Sequence, residues 1–147
     1  MLQDAYKRLD GIIEFLPDAT FVINNSGHVV SWNKAVQQMT GIPKKAIIGK
    51  GNYEYAITFY GERRPILIDI VLLPSSEITR YKINYDKLEW RGDILYGENY
   101  NPKVYSCKGA HLWTTASKLY DTGGHVVGAI ATLRDITERK QIENELS

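Results

Sequence analysis

Leu2, Ala5, Tyr6, Leu9, Ile12, Ile13 and Leu16 recur at steps of three and four residues, which places them on one face of a helix, and Pro17 ends the run. Gly11 inside the stripe weakens an isolated helix by up to about 1 kcal/mol relative to Ala, so packing must hold it. Two packing roles stay open, a cap on the domain's own sheet and a contact with a second copy. In the middle of the chain, Ile66, Leu67, Ile70, Val71 and Leu73 form an apolar face, with Asp69 interrupting the run. Tyr60-Gly61-Glu62-Arg63-Arg64-Pro65 before it reads as a helix start with Pro65 at the first position. A strand is the competing reading, because the run is short and rich in β-branched residues. Pro74-Ser75-Ser76-Glu77 begins another short helix reaching Tyr81 or Lys82. Arg91-Gly92-Asp93 is a turn between Leu88-Glu89-Trp90 and Ile94-Leu95-Tyr96. A third strand is expected within Ile94 to Tyr105, broken by Pro102, and a fourth from His111 to Tyr120, with a turn at Ser106-Cys107-Lys108-Gly109. Asp121-Thr122-Gly123-Gly124 then turns the chain into the strand Val126 to Leu133, and Asp135 or Thr137 caps a charged exit helix.

Two blocks of sequence carry a resemblance. Leu133-Arg134-Asp135-Ile136-Thr137 resembles the end of PAS domains, where an Asp-Ile-Thr signature joins the last strand to a signalling helix. Leu16-Pro17-Asp18-Ala19, Thr20 to Asn24, Asn25-Ser26-Gly27 and His28 to Asn33 resemble the opening hairpin of the same family. Ala35 to Gly41 and Ile47-Ile48-Gly49-Lys50 look like its first short helices. The blocks cover about half the chain in the family's order. The resemblance implies an α+β fold: a five-stranded antiparallel sheet in the order 2-1-5-4-3, helices over one face, and N- and C-terminal helices. It also favours the helix for Ile66 to Leu73, because the family lays an interior helix there. The expected organisation is an N-terminal amphipathic helix over 1–17, a sensory domain with an enlarged middle region over 18–137, and the start of a signalling helix over 138–147.

Composition limits the partners. With 18 basic and 17 acidic residues the formal net charge is +1, so there is no basic field to attract nucleic acid or anionic lipid. A length of 147 residues with 44% hydrophobic residues suits one packed domain. The single cysteine, Cys107, suits a reducing compartment. No apolar stretch approaches the ~20 residues of a membrane span, and the first residues do not read as a signal peptide. The expectation is therefore a cytoplasmic domain with no direct membrane insertion, whatever anchor a longer parent carries, and Asn24-Asn25-Ser26 reads as a turn rather than a glycan site.

Catalytic motifs fail one by one. Gly49-Lys50 is followed by Gly51 rather than Ser or Thr, so the phosphate loop is incomplete. His28, His111 and His125 lie far apart and Cys107 has no second cysteine, so no metal spacing appears. No Gly-x-Ser-x-Gly elbow exists. Flavin is disfavoured, since Cys107 lies near the later strands and not in the interior-helix context of the family's light sensors. Heme is disfavoured because Tyr60 to Pro74 contains no histidine. An aromatic and polar middle region remains, from which a ligand site of Arg63, Arg64, Tyr60, Tyr96, Trp113 and Thr115 is expected between the interior helix and the sheet, the arginines suited to an anionic small molecule.

The function expected is that of a sensory input domain without catalysis of its own. It would pass a ligand's effect through Arg134, Asp135, Ile136 and Thr137 to an output domain in the same polypeptide, such as the kinase of a two-component sensor. A ligand-free dimerisation module and, less favoured, a small enzyme are the rival classes. Ile136, Ile142 and Leu146, with Arg139 between them, place an apolar face on a segment too short to be a stable helix alone, so pairing into a homodimer or continuation into a coiled coil is expected.

Overall fold

The computed structural model describes residues 2–146, with side chains from Arg8 onward. Helix α1 (Leu2–Ile13) leads into strands β1 (Ala19–Asn24) and β2 (Val29–Trp32). Five short helices follow: α2 (Lys34–Thr40), α3 (Lys44–Ile47), α4 (Glu54–Tyr60), α5 (Leu67–Ile70) and α6 (Ser75–Ile78). A 3-10 turn over Thr79–Asn84 then gives way to β3 (Lys87–Arg91) and β4 (Ile94–Asn101). A left-handed turn over Val104–Cys107, labelled α7, with φ 55°, 56° and 69° at Tyr105, Ser106 and Cys107, precedes β5 (Ala110–Tyr120), β6 (Val126–Asp135) and the exit helix α8 (Thr137–Leu146). The sheet is antiparallel throughout, in the order β2-β1-β6-β5-β4-β3.

The sheet therefore has six strands, not the five expected. Strands β2-β1-β6-β5-β4 reproduce the expected order, and β3 is added at the outer edge. Its cause is local: Leu88 and Trp90 pair with Gly97 and Leu95 across the Arg91-Gly92-Asp93 turn, where Gly92 takes φ 65°. The reading of Ile66 to Leu73 as helix rather than strand holds, but α5 is one turn long. Pro65 precedes it instead of opening it, and Asp69 accepts a hydrogen bond from the Ile66 N–H at 3.0 Å. What looked like an interruption is thus the residue that ties down the helix start.

Two hairpins share one device. Asn24 Oδ1 accepts from Ser26 N at 2.9 Å and His28 N at 3.1 Å, and Asp121 Oδ1 accepts from Gly123 N and His125 N, both at 2.9 Å. Both Asx side chains thereby replace water on the turn amides.

Alternation along the strands sorts the sheet into two faces. Phe21, Leu112, Ala116 and Ala131 face the helical layer, where Phe21 packs at 5.3 Å from Trp32 and 5.5 Å from Tyr55. Buried Asn33 joins the layers with its whole hydrogen-bonding capacity. Its Oδ1 accepts from Thr20 N and Val36 N, and its Nδ2 donates to the Ile13 and Asp18 carbonyls, all within 2.9–3.0 Å.

Helix α1 lies against β2, with Asp10 accepting from Ser31 Oγ at 2.7 Å and pairing with Lys44 at 2.9 Å. Ile13 is buried, whereas Ile12, Phe15 and Leu16 are exposed. The expected stripe at Leu2, Ala5 and Tyr6 lies outside the described side chains.

Candidate functional site

Beneath α5 the sheet is small and polar. Gly97 brings the strand so close that a Cβ there would stand 3.2 Å from Tyr85 and 3.3 Å from Leu67. Beside it Asn99 Nδ2 donates to Tyr60 Oη at 2.8 Å and lies 3.3 Å from the Asn84 carbonyl, while Asn101 Nδ2 donates to Asn99 Oδ1 at 3.0 Å. Tyr85 meets the Tyr60 hydroxyl, and burial raises the pKa of both phenols, so both stay neutral. Phe59, Tyr60, Leu67, Tyr85, Asn101 and Thr114 are among the residues around a cavity of about 10 Å³, room for one water molecule. Arg64 covers this cluster, its guanidinium 3.7 Å from the centre of the Tyr60 ring.

Of the residues expected in the pocket, Tyr60 and Arg64 are here. Arg63 is not: its guanidinium donates to the Asn52 carbonyl at 2.9 Å and lies 3.6 Å from Glu54. Tyr96, Trp113 and Thr115 are on the opposite face of the sheet, one residue out of phase with Leu95, Thr114 and Ala116. A shift of one position exchanges the faces of a strand, and β5 carries sizeable side chains on both.

The outer face forms a ladder of its own. Arg91 stacks 3.7 Å from the Tyr96 ring centre, Tyr96 meets Trp113 edge-on at 5.8 Å, and Arg134 lies 5.3 Å over Trp113. Arg134 also makes a forked pair with Asp18 at 2.8 and 3.1 Å. Nearby, buried Glu98 accepts from Tyr96 Oη and pairs with Arg139 at 3.2 Å and Lys140 at 3.3 Å. Burial alone would raise the Glu98 pKa, but the Tyr96 hydroxyl and the two cations outweigh it and hold the carboxyl below its ordinary range.

The four residues expected to transmit a signal are joined to the same region. Asp135 Oδ1 accepts from Thr137 N at 2.9 Å and caps α8. Ile136 is buried and donates its N–H to the His111 carbonyl at 2.8 Å, and Thr137 Oγ1 accepts from His111 N at 3.0 Å. The exit helix is thus fixed to β5 through the Ile136 N–H and the Thr137 hydroxyl, and to β4 through Glu98.

Sequence reasoning missed Tyr85, Asn99, Asn101 and Glu98. The alternation Leu95, Gly97, Asn99, Asn101 was the available signal, since it marks one strand face as narrow and polar.

The family described as PAS fold matches residues 7–136. The chain belongs to the PAS family. The PAS domain of Bordetella pertussis BvgS superposes with a TM-score of 0.62 at 16% identity, covering 97% of this chain and 95% of that one. A PAS domain from Colwellia psychrerythraea gives 0.57 at 19%, covering 92% and 99%. The complex of phage VqmA with DPO gives 0.58 at 15%, covering 97% of this chain and 59% of that one. These likenesses concern the fold. No curated protein matches the sequence. PAS domains are in general modules of signal sensing.

Proposed function

We propose that this PAS domain is a cytoplasmic sensory input module in which a small molecule engages the polar cluster of Tyr60, Tyr85, Asn99 and Asn101, and α8 carries the response to an output domain in the same polypeptide. The observation that carries the reading is the position of that cluster on β4, the strand that also grips α8 through Glu98. The cavity has room for only one water, so a larger ligand has to displace α5, which is a single turn between Pro65 and Pro74. Binding that favours the displaced arrangement shifts the population by its differential affinity for the two states. Arg64 is the group placed to meet an anionic ligand. Arg63 is committed elsewhere.

The output we propose is a sensor histidine kinase of a two-component system, driven by a dimer of this domain. The VqmA of Vibrio cholera forms a complex with ligand and DNA, but this chain covers 51% of that one, and a formal charge of +1 gives the PAS domain itself no basic field for nucleic acid. The domain is read as non-catalytic, and among the described residues no group of three or more His, Cys, Asp or Glu is arranged to hold a metal ion. No helix of the described residues is long and apolar enough to cross a membrane. Flavin and heme stay disfavoured on the sequence arguments given above.

One observation favours a second reading, a ligand-free dimerisation module: the interior is nearly filled. Native mass spectrometry of freshly purified protein separates the two. A retained small molecule, lost on Asn99→Ala, supports sensing. A bare mass from native cells, together with no response of Asn99→Ala to any small-molecule extract, supports the ligand-free reading.

A further inference from the structure

A larger cleft opens away from the interior cavity, where the β1–β2 turn meets α4, α5 and the 3-10 turn. Its volume is about 510 Å³, within the range of small-molecule sites. Tyr53, Tyr55, Tyr81 and Leu72 give it aromatic and aliphatic walls, and Asp69 and Arg80 both line it. Asp69 is partly buried and uses its oxygens to accept from Tyr55 Oη and Ile66 N, yet no cation stands within ion-pair distance of it among the described residues. Arg80 is exposed; it lies over the Tyr81 ring at 5.1 Å and donates to Tyr81 Oη at 3.1 Å, with no carboxylate within ion-pair distance among the described residues. One cleft thus holds an anion without a cation and a cation without an anion, in a setting where each gains from a partner.

The lip of the cleft is strained. Asn52 and Tyr53 adopt φ 54° and 57°, the left-handed region that non-glycine residues seldom occupy, and the Arg63 bond to the Asn52 carbonyl at 2.9 Å secures this turn. Consecutive left-handed residues of this kind gather at ligand clamps.

We propose that this cleft is a second ligand site that takes a small zwitterion, an apolar amino acid or dipeptide, with its ammonium on Asp69 and its carboxylate on Arg80. The aliphatic and tyrosine walls receive the apolar side chain, and the charge pattern rejects molecules bearing only one of the two groups. The site is distinct from the interior cluster around Asn99.

Isothermal titration of the full chain at neutral pH tests this, with leucine, phenylalanine and leucyl-leucine as probes beside their N-acetyl and C-amide forms. At least one free zwitterion should bind, and blocking either end should weaken it about tenfold or more. Arg80→Ala and Asp69→Asn should each cause a similar loss, while Tyr60→Phe in the interior cluster should leave the affinity unchanged. No binding of any free form at about 10 mM, or equal binding of the blocked forms, overturns the proposal. Should Asp69→Asn fail to fold, Arg80→Ala at its exposed position decides the outcome together with the blocked probes.

Discussion

Glu98 and Asn99 are consecutive on β4 and serve opposite faces of the sheet: the carboxylate of Glu98 holds Arg139 and Lys140 of the exit helix, and the amide of Asn99 holds Tyr60 of the helical layer. A strand alternates by construction, so a shift of its backbone moves both contacts together. This gives the sensory reading a physical route of two residues.

Glu98→Gln removes the charge that pairs with both cations, although Tyr96 can still donate to it. Docking of α8 should weaken by about 1.5–3 kcal/mol, the range for hydrogen bonds to charged groups. Hydrogen exchange should speed up across residues 137–146 while the β1–β6 core keeps its protection. Unchanged exchange in α8 would mean that Ile136 and Thr137 alone hold the helix.

Asn33→Ala deletes four hydrogen bonds, three of them buried, and leaves the Thr20 and Val36 amides without their acceptor, whereas the Ile13 and Asp18 carbonyls keep Leu16 N and Thr20 Oγ1 as donors. The loss should reach at least about 2 kcal/mol in urea denaturation, more than a helix cap alone supplies. A loss confined to about 1 kcal/mol would show that water replaces the amide.

Burial pushes the Asp69 pKa up to about 6 from 3.8, against the lowering effect of the Ile66 N–H and the Tyr55 hydroxyl. Because the folded pKa is the higher one, the protonated form favours folding. Its contribution is fully present below about pH 4 and is lost as pH rises through 6, a span worth about 3 kcal/mol. Asp69→Asn should therefore flatten the stability profile between pH 4 and 7. Parallel profiles for the two proteins would place the titration elsewhere.

The apolar exposure at the end of α1 and in the turn after it makes dimerisation testable. Ile12 and Phe15 are 70% and 81% exposed, and sedimentation of the chain should report a dimer that Phe15→Glu converts to monomer. Deletion of residues 1–16 and 138–147 together should do the same. Monomers throughout at high concentration would remove these helices from any interface.

The hairpins and the exit segment were legible in the sequence because each depends on local chemistry: Asn24 and Asp121 bind their own turns, and Asp135 caps the next helix. The first helix ends at Ile13, short of the expected Pro17, and leaves Ile12 and Leu16 of the expected stripe exposed. The face of β5 was not legible. Leu112-Trp113-Thr114-Thr115-Ala116 has apolar groups at both parities, and Trp113 belongs to the outer face only because Tyr96 and Arg134 flank it there. The extra strand β3 was hidden for a similar reason, since its pairing depends on Leu95 and Gly97 across the turn. Asp69 was misread because its partners, Tyr55 and Ile66, come from a tertiary contact and a helix start two residues later than expected.

The coupling between the interior cluster and the exit helix is tested most directly by amide exchange of α8 in Tyr60→Phe, compared with wild type and with Ile57→Ala, a 38% exposed position on the same helix. Tyr60→Phe removes the acceptor of Asn99 without touching α8. Exchange should be about fivefold faster over residues 137–146, as expected for roughly 1 kcal/mol, with no change in Ile57→Ala. Exchange in α8 equal to wild type, while β4 itself loses protection in Tyr60→Phe, would contradict the coupling.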